Sequence, residues 1–254
     1  MLAAQRRTLI WTTVPPLIVL VCGLDSAWVE ERYGLGMLGQ WAANLVMFAY
    51  FVLMYRSAPE KLRGLMKYGV VIATAGEALF SLVFGMYEYR HANIPLYVPP
   101  GHAILYGAIF YFVREPSVLR ARSWLNPAMV AVSIGYAALW YSWHQDLYGA
   151  LCTALFVLLV AVEPQSRLFF LAMFILVGFL EQVGTRFGCW YWWEHAFNKY
   201  SWLPSGNPPS GISVFYFAFD VLCLRAYLKR RPKVKARLKR RREQSAPVGE
   251  VAAA

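Results

Sequence analysis

Long apolar runs alternate with short polar segments along most of the chain. A helix needs roughly 20 mostly apolar residues to cross a membrane, and runs near this length recur up to residue 228. The pattern predicts an all-α fold, a polytopic membrane helix bundle of about eight transmembrane helices. The predicted helices are Thr8–Leu24, Leu35–Tyr55, Leu65–Tyr87, Gly101–Val113, Pro127–Trp143, Leu147–Val162, Arg167–Trp190 and Gly211–Leu228.

The composition agrees with a membrane protein. Hydrophobic residues make up 59% of the 254 residues, charged residues only 15%, and the mean hydropathy is +0.41. A soluble globular domain would carry about 25% charged residues. This balance excludes an ordinary soluble domain.

The basic residues predict how the helices are oriented. With the N-terminus inside, 21 of the 25 Lys and Arg residues fall in segments on the inner side. Because basic loops stay in the cytoplasm, we expect a multi-pass protein of the bacterial inner membrane with both termini cytoplasmic. The densest basic run, Lys229–Arg242, directly follows the last predicted helix. We interpret it as a contact for anionic membrane lipids and not for nucleic acid.

Two similar stretches of the chain indicate an internal duplication. Glu77 and Glu181 lie 104 residues apart, each in an apolar segment followed by a glycine, an aromatic cluster, a polar loop and a Pro-Pro pair. We predict two parallel four-helix membrane halves, residues 1–124 and 125–228, because four helices return the chain to its starting side. Residues 229–254 would form a basic, disordered cytoplasmic tail, and the sequence leaves the oligomeric state open.

Buried charge gives the strongest candidates for a functional site. A carboxylate in the hydrocarbon core costs about 2.5–3.5 kcal/mol, so such residues are rare and usually functional. Counting the helix rise places Glu77 and Glu181 roughly 15 Å below the outer interface, and Asp220 roughly 14 Å below it. Histidine titrates near neutral pH and suits proton transfer, and His102 lies at the start of a predicted helix. We predict Glu77, Glu181, Asp220 and His102 as catalytic residues.

The polar and aromatic rim above this level supplies candidates for substrate binding. It offers hydrogen-bond donors, a cation and ring faces. We expect the substrate to contact Arg186, Tyr87, Trp190, Trp192, Tyr216 and Asn207. The histidines and cysteines lack the spacing of a metal site, and phosphate-binding and dinucleotide-binding motifs are absent, so we expect no metal and no cofactor.

Paired carboxylates in a medium of low dielectric suit acid–base chemistry. One that keeps its proton acts as an acid, while a neighbour acts as a base or stabilises a cation, and aromatic faces add to that stabilisation. This chemistry fits protonation of an alkene in a lipid-soluble substrate, leading to hydration, isomerisation or cyclisation. We expect Glu77 to donate the proton and Glu181, near Arg186, to act as base or cation stabiliser. Asp220 would assist, and His102 would relay protons from the outer water.

Two short segments resemble a known family. Glu181-Gln-Val-Gly-Thr-Arg-Phe-Gly-Cys-Trp-Tyr-Trp192 is similar to a motif of bacterial carotenoid-biosynthesis membrane proteins that include the carotenoid 1,2-hydratases, and Glu77–Pro100 is similar to it a second time. The chain also resembles, more loosely, small polytopic terpene cyclases that work with intramembrane Glu and Asp residues. Both resemblances imply a membrane enzyme that acts on an isoprenoid or carotenoid substrate.

Two other functional classes fit the same pattern. Parallel repeats with carboxylates near the midplane also suit a proton-coupled transporter or a lipid flippase. In a non-catalytic accessory subunit, the glutamates would only bond to neighbouring helices.

Overall fold

The computed structural model describes residues 2–229 of the protein, and this part of the chain is mostly helical, as predicted. The helices in chain order are α1 (Leu2–Leu24), α2 (Ala27–Tyr33), α3 (Met37–Ser57), α4 (Glu60–Glu77), α5 (Val98–Phe112), α6 (Pro116–Arg120), α7 (Arg122–His144), α8 (Leu147–Val162), α9 (Arg167–Arg186) and α10 (Ser213–Lys229). A π-helical turn (Ala78–Val83), a 3-10 turn (Ala196–Asn198) and two short strands, β1 (Tyr87–Tyr89) and β2 (Trp190–Trp192), accompany them. The predicted basic tail lies outside the described residues from position 230 onwards.

Each of the eight predicted helices corresponds to a helix of the structure, but two end earlier than predicted. The pattern predicts that the third and seventh helices continue into the aromatic clusters. Instead, α4 passes into the π-helical turn that ends at Val83, and α9 ends at Arg186. Gly85 and Gly188 follow with φ angles of +58° and +68°, a left-handed conformation that glycine adopts without steric cost. The aromatic clusters therefore leave the helices and form β1 and β2.

Part of the described chain is suited to crossing a membrane. Three helices are long and apolar enough: Met37–Ser57, Glu60–Val83 and Arg167–Arg186. The helices Thr8–Leu24 and Ala27–Tyr33 meet at an angle of 45° and would form a fourth span if the pair counts as one. Large apolar side chains also lie on the outside of the bundle, where Leu45 is 71% and Val162 73% exposed. Such a surface fits lipid better than water, so the structure is compatible with a membrane protein. Eight transmembrane spans and two repeats remain predictions.

The helices pack around α4, the helix that carries Glu77. It contacts α5 on one side and α10 on another, while α1 packs against α3, α5 and α9. Gly76 permits the close approach of α10, because a Cβ atom at this position would collide with the ring of Phe219. This packing leaves a space bordered by α1, α4, α5, α9 and α10.

The two strands close this space at one end. They pair antiparallel with the partners Tyr87 and Trp192, Glu88 and Tyr191, and Tyr89 and Trp190. Successive side chains of a strand point to opposite faces, so the two tyrosines and two tryptophans at the strand ends share one face. Since each strand follows a glutamate helix, the pairing also joins the ends of α4 and α9.

Candidate functional site

A cavity of about 80 Å³ lies between the helices and the strand pair. Its walls are mainly hydrocarbon and aromatic rings, contributed by α1, α4, α5, α9, α10 and both strands. Few ionisable groups interrupt these walls. They are Glu77, Tyr87, Tyr89, Tyr97, His102, Glu181, Tyr216 and the thiol of Cys22.

Glu77 is buried at the end of α4, where the helix widens into the π-helical turn. Its Oε2 atom accepts hydrogen bonds from the hydroxyls of Tyr87 at 2.5 Å and Tyr89 at 2.7 Å. Its Oε1 atom lies 2.9 Å from Nε2 of His102. The two tyrosines reach the same oxygen because they lie two residues apart on one face of β1. Both oxygens of Glu77 therefore have partners.

His102 is held in place by aromatic contacts as well as by Glu77. It lies in the first turns of α5, after a Pro-Pro-Gly start that suits a helix N-terminus. Its ring stacks on Tyr216 with centroids 4.6 Å apart and an interplanar angle of 16°, and it meets Phe219 edge-on at 5.8 Å. These contacts fix the plane of the imidazole and direct Nε2 towards the carboxylate.

Glu181 is buried on α9, in an environment built differently from that of Glu77. Its Oε2 atom accepts hydrogen bonds from the indole N–H groups of Trp190 at 2.9 Å and Trp192 at 3.0 Å. Within residues 2–229, Oε1 of Glu181 forms no hydrogen bond. Gly184 makes room for this arrangement, because a Cβ atom there would collide with the ring of Trp190. One oxygen of Glu181 is thus left without a partner in the described part of the chain.

The strand pair brings the hydrogen-bond donors of both glutamates into one cover over the cavity. Burial, followed by the nearby Glu77 carboxylate, raises the pKa of Tyr87 and of Tyr89 well above the ordinary value, so both phenols remain hydrogen-bond donors. On the opposite face of the strands, the hydroxyl of Tyr191 donates to Oε2 of Glu88 at 2.7 Å. This hydrogen bond, with a smaller effect of desolvation, raises the pKa of Tyr191 to about 12.

A buried ion pair ties the strand region to the end of α1. Asp25 is fully buried, and its Oδ1 atom accepts a hydrogen bond from the guanidinium of Arg90 at 2.7 Å. Its Oδ2 atom accepts from the hydroxyl of Tyr97 at 2.8 Å, and Arg90 also pairs with Glu30. Because Arg90 directly follows β1 and Tyr97 lines the cavity, this network fixes one wall of the site.

A second buried carboxylate holds the loop that follows β2. Asp146 caps α8 by accepting from the backbone N–H of Gly149 at 3.0 Å, and it also accepts from the backbone N–H groups of Gly206 at 2.8 Å and Ser210 at 2.7 Å. The loop so held presents Asn207, whose Oδ1 atom accepts from the backbone N–H of Trp192 at 3.0 Å. Asp146 therefore positions Trp192, a hydrogen-bond donor of Glu181, through the loop and Asn207.

Comparisons with protein-family models, curated proteins and solved structures find no match for this chain. Among the described residues, no group of three or more His, Cys, Asp or Glu side chains is placed to hold a metal ion. Two carboxyl groups, one imidazole and several phenols around an apolar cavity are groups that donate, accept and hold protons.

The structure brings most of the predicted site residues together. Those that line the cavity are Glu77, Glu181, His102, Tyr87, Trp190, Trp192 and Tyr216. Asn207 acts on the site indirectly, through the backbone of Trp192. The predicted depth of 15 Å assumes that the helices continue to Tyr87 and Tyr191, which lie in the strands instead. Six residues separate Glu77 from the end of the π-helical turn, about 9 Å along the helix, and five separate Glu181 from the end of α9, about 8 Å.

Two predicted residues lie apart from the cavity. Asp220 is buried on α10 but is not part of the cavity wall, and its Oδ2 atom has no hydrogen-bond partner among the described residues. Arg186 is exposed at the end of α9, and no ion pair joins it to Glu181 in the described part of the chain. The expectation that Arg186 assists Glu181 therefore has no contact to support it.

Sequence reasoning missed three contributors to the site. Tyr89 donates to Glu77, Tyr97 lines the wall, and Asp25 anchors Tyr97 and the residue after β1. The alternation Tyr-Glu-Tyr at residues 87–89 was a usable signal, because a strand would place both tyrosines on one face. For Asp25 the only signal in the sequence was its negative charge, which is opposite to that of Arg90 in another predicted outer loop.

Proposed function

We propose that the protein is an integral membrane enzyme that uses carboxylate acid–base chemistry on a lipid-soluble, isoprenoid-type substrate. The observation that carries this proposal is the placement of Glu77 and Glu181 in the wall of one apolar cavity, with His102 hydrogen-bonded to Glu77. Apolar pockets with a few convergent polar groups are typical of active sites. The reaction would be a hydration, a double-bond isomerisation or a cyclisation, and the resemblance to carotenoid 1,2-hydratases points the same way.

The hydrogen bonds favour the reverse of the roles expected from the sequence. The hydroxyls of Tyr87 and Tyr89 donate to the Glu77 carboxyl group, Nε2 of His102 lies within hydrogen-bond distance of its other oxygen, and donors stabilise the charged form of a carboxylate. Among the described residues, Glu181 receives two indole N–H groups, both on one oxygen, and its other oxygen has no partner there. We assign Glu181 as the proton donor and the pair of Glu77 and His102 as the base.

The first chemical step would be protonation of the substrate alkene by Glu181. The O–H bond of the carboxyl group breaks, a C–H bond forms from the alkene π electrons, and a carbocation remains on the neighbouring carbon. Ring faces of Trp192, Tyr216 and Phe219 around the cavity would stabilise this cation, as aromatic faces stabilise other cations. The Glu181 carboxylate that remains is the counter-ion of this cation.

The second step would remove a proton with Glu77 and His102. The base takes the proton either from a carbon next to the cation, which forms a new alkene, or from a water that attacks the cation, which forms an alcohol. The Glu77 carboxylate takes this proton, and His102 can pass it on, because Nε2 contacts Glu77 while Nδ1 remains able to exchange protons. Return of one proton to Glu181 completes the cycle.

Product formation in cells tests this proposal. Glu181→Gln keeps the shape of the side chain but removes its acidic proton, so we expect the lipid-soluble product to disappear from whole-cell extracts. Glu77→Gln should also lower product strongly, while Glu88→Gln, on the outer face of the same strand pair, should leave it close to wild type. Normal product from Glu181→Gln in a strain that inserts the protein normally would show that the acid-catalysis assignment is wrong.

A proton-coupled transporter is a second candidate, and Asp220 favours it. This residue lies one helical turn beyond Tyr216 on α10, and Oδ2 is buried without a partner in the described residues. A carboxyl group beyond the cavity offers a second place for a proton on the far side of the site. Proteoliposomes with an internal pH-sensitive dye separate the two functions: proton flux that Asp220→Asn abolishes would favour transport.

The membrane arrangement belongs to the same proposal. We place eight helices across the bacterial inner membrane as two parallel halves, with both termini in the cytoplasm. The 21 basic residues of the inner segments support the orientation. Ser205→Cys, in the loop before the last helix, should react with a membrane-impermeant thiol reagent added outside intact cells. Labelling only after the inner side is opened to the reagent would reverse the orientation.

A further inference from the structure

A second groove lies near the opposite end of α4 from the glutamates. It is a space of about 410 Å³ between the end of α3, the first turns of α4 and the end of α10. Arg63, one of its residues, precedes Glu77 by 14 positions, about 21 Å along a helix. The groove is therefore separate from the cavity of the proposed enzyme.

Two basic side chains give the groove its charge. Arg63 and Lys67 are exposed and lie one helical turn apart, so they project from the same side of α4. Within the described residues neither forms an ion pair, although the carboxylate of Glu60 also borders the groove. Nζ of Lys67 lies 5.8 Å from the ring centre of Tyr55, a cation–π contact that holds the ammonium group over the groove. Within residues 2–229, these contacts leave both cations available to an anion.

The remaining walls change from polar to apolar along α4. Tyr227 of α10 is buried beside Gly64, where a Cβ atom would lie only 2.7 Å from its ring. Val71 borders the groove two turns beyond Arg63 and is 66% exposed, so this end faces the apolar outside of the bundle. A ligand that fills the groove needs an anionic part next to the cations and an apolar part next to Val71.

We propose that the groove binds one anionic phospholipid. Its phosphate would lie between Arg63 and Lys67, and its acyl chains would run along α4 beside Val71. This site rests on α4 being embedded in a membrane and not on the acid–base chemistry of the cavity. A soluble phosphate would use the same two cations but would gain nothing from the apolar end, which is why we assign a lipid.

The test is the binding of phosphatidylglycerol to the purified full chain in micelles, measured by native mass spectrometry as lipid is titrated. Removal of two basic residues should weaken this binding roughly thirtyfold in Arg63→Gln/Lys67→Gln. The matched control is Arg56→Gln/Arg120→Gln, which removes the same charge from basic residues outside the groove and should bind as wild type does. Arg63→Lys/Lys67→Arg keeps the charge and should retain binding, which separates lost charge from misfolding.

Several results would overturn this assignment. Equal affinity of the groove variant and its control for phosphatidylglycerol would show that the groove is not the site. Equal affinity of the wild type for phosphatidylcholine would show that the negative charge is not recognised. Displacement of the lipid by inorganic phosphate at similar concentration would identify a soluble anion as the ligand. Glu77→Gln should bind the lipid normally, so failure of the enzyme proposal leaves this test intact.

Discussion

Replacing Tyr87 by phenylalanine removes one hydrogen bond to Glu77 and little else. The hydroxyl donates to Oε2 at 2.5 Å, and the side chain is 8% exposed. A hydrogen bond to a charged group contributes about 1.5–3 kcal/mol, whereas one between neutral groups contributes about 1 kcal/mol. With Glu77 ionised, Tyr87→Phe should lower the free energy of unfolding by about 2 kcal/mol, which for a protein of this size lowers Tm by about 4–8 °C.

Tyr148→Phe is the matched control for this prediction. Tyr148 has the same exposed fraction, 8%, but its hydroxyl has no oxygen or nitrogen partner among the described residues and lies beside the Cys152 thiol, which is only a weak hydrogen-bonding group. Its replacement should change the free energy of unfolding by no more than about 0.5 kcal/mol. Thermal unfolding of both variants in the same detergent, followed by circular dichroism, measures the difference. Equal Tm values for the two variants would refute the view that Tyr87 donates to a charged carboxylate.

Two further predictions concern the glutamate helices and the strand pair. Gly184→Ala should displace Trp190 and lower the free energy of unfolding by about 1–3 kcal/mol, as overpacking does. The control is Gly178→Ala on the same helix, which has open space around its Cβ atom and should be neutral or slightly stabilising. Equal Tm values for the two variants would contradict this prediction. Glu88→Gln should lower the pKa of Tyr191 from about 12 towards the ordinary value of about 10. Because the folded-state pKa of Tyr191 is raised, its hydrogen bond to Glu88 stabilises the protein below about pH 10, and this stabilisation is lost as pH rises through about 12. Identical phenolate titrations of the variant and the wild type would show that Glu88 does not raise this pKa.

The helices could be predicted from the sequence because apolar periodicity and length are strong signals. All eight predicted helices correspond to helices of the structure, with α2 and α6 as short additions. Glu77 and Glu181 could also be selected, since a carboxylate inside an apolar run is costly and therefore conspicuous. Equal depth along three helices predicts that Glu77, Glu181 and Asp220 border one cavity, and the structure places the two glutamates in one cavity wall together with His102.

The details that determine the chemistry depend on contacts between distant segments. The sequence suggested that Trp190 and Trp192 belong to an interfacial belt or bind substrate, but it gave no reason to expect both indoles on one oxygen of Glu181. That geometry requires α9 to end before the aromatic cluster and β2 to pair with β1. The proposed roles of acid and base depend on the same contacts, because the partners of the two glutamates lie nine or more residues away or on another helix. Asp220 is a counter-example to prediction from depth. Its predicted depth is close to that of the two glutamates, but it does not lie in the cavity wall.

The register of the strand pair has a consequence for how precisely the chain must fold. Tyr87 faces Trp192 across the pair, so a donor of Glu77 and a donor of Glu181 lie side by side. A slip of the register by one residue turns every side chain of a strand to the opposite face. Such a slip of β1 would turn Tyr87 and Tyr89 away from the cavity and leave Glu77 without its two phenols. Correct pairing of two segments that are distant in the chain is therefore a condition for both carboxylates to keep their donors.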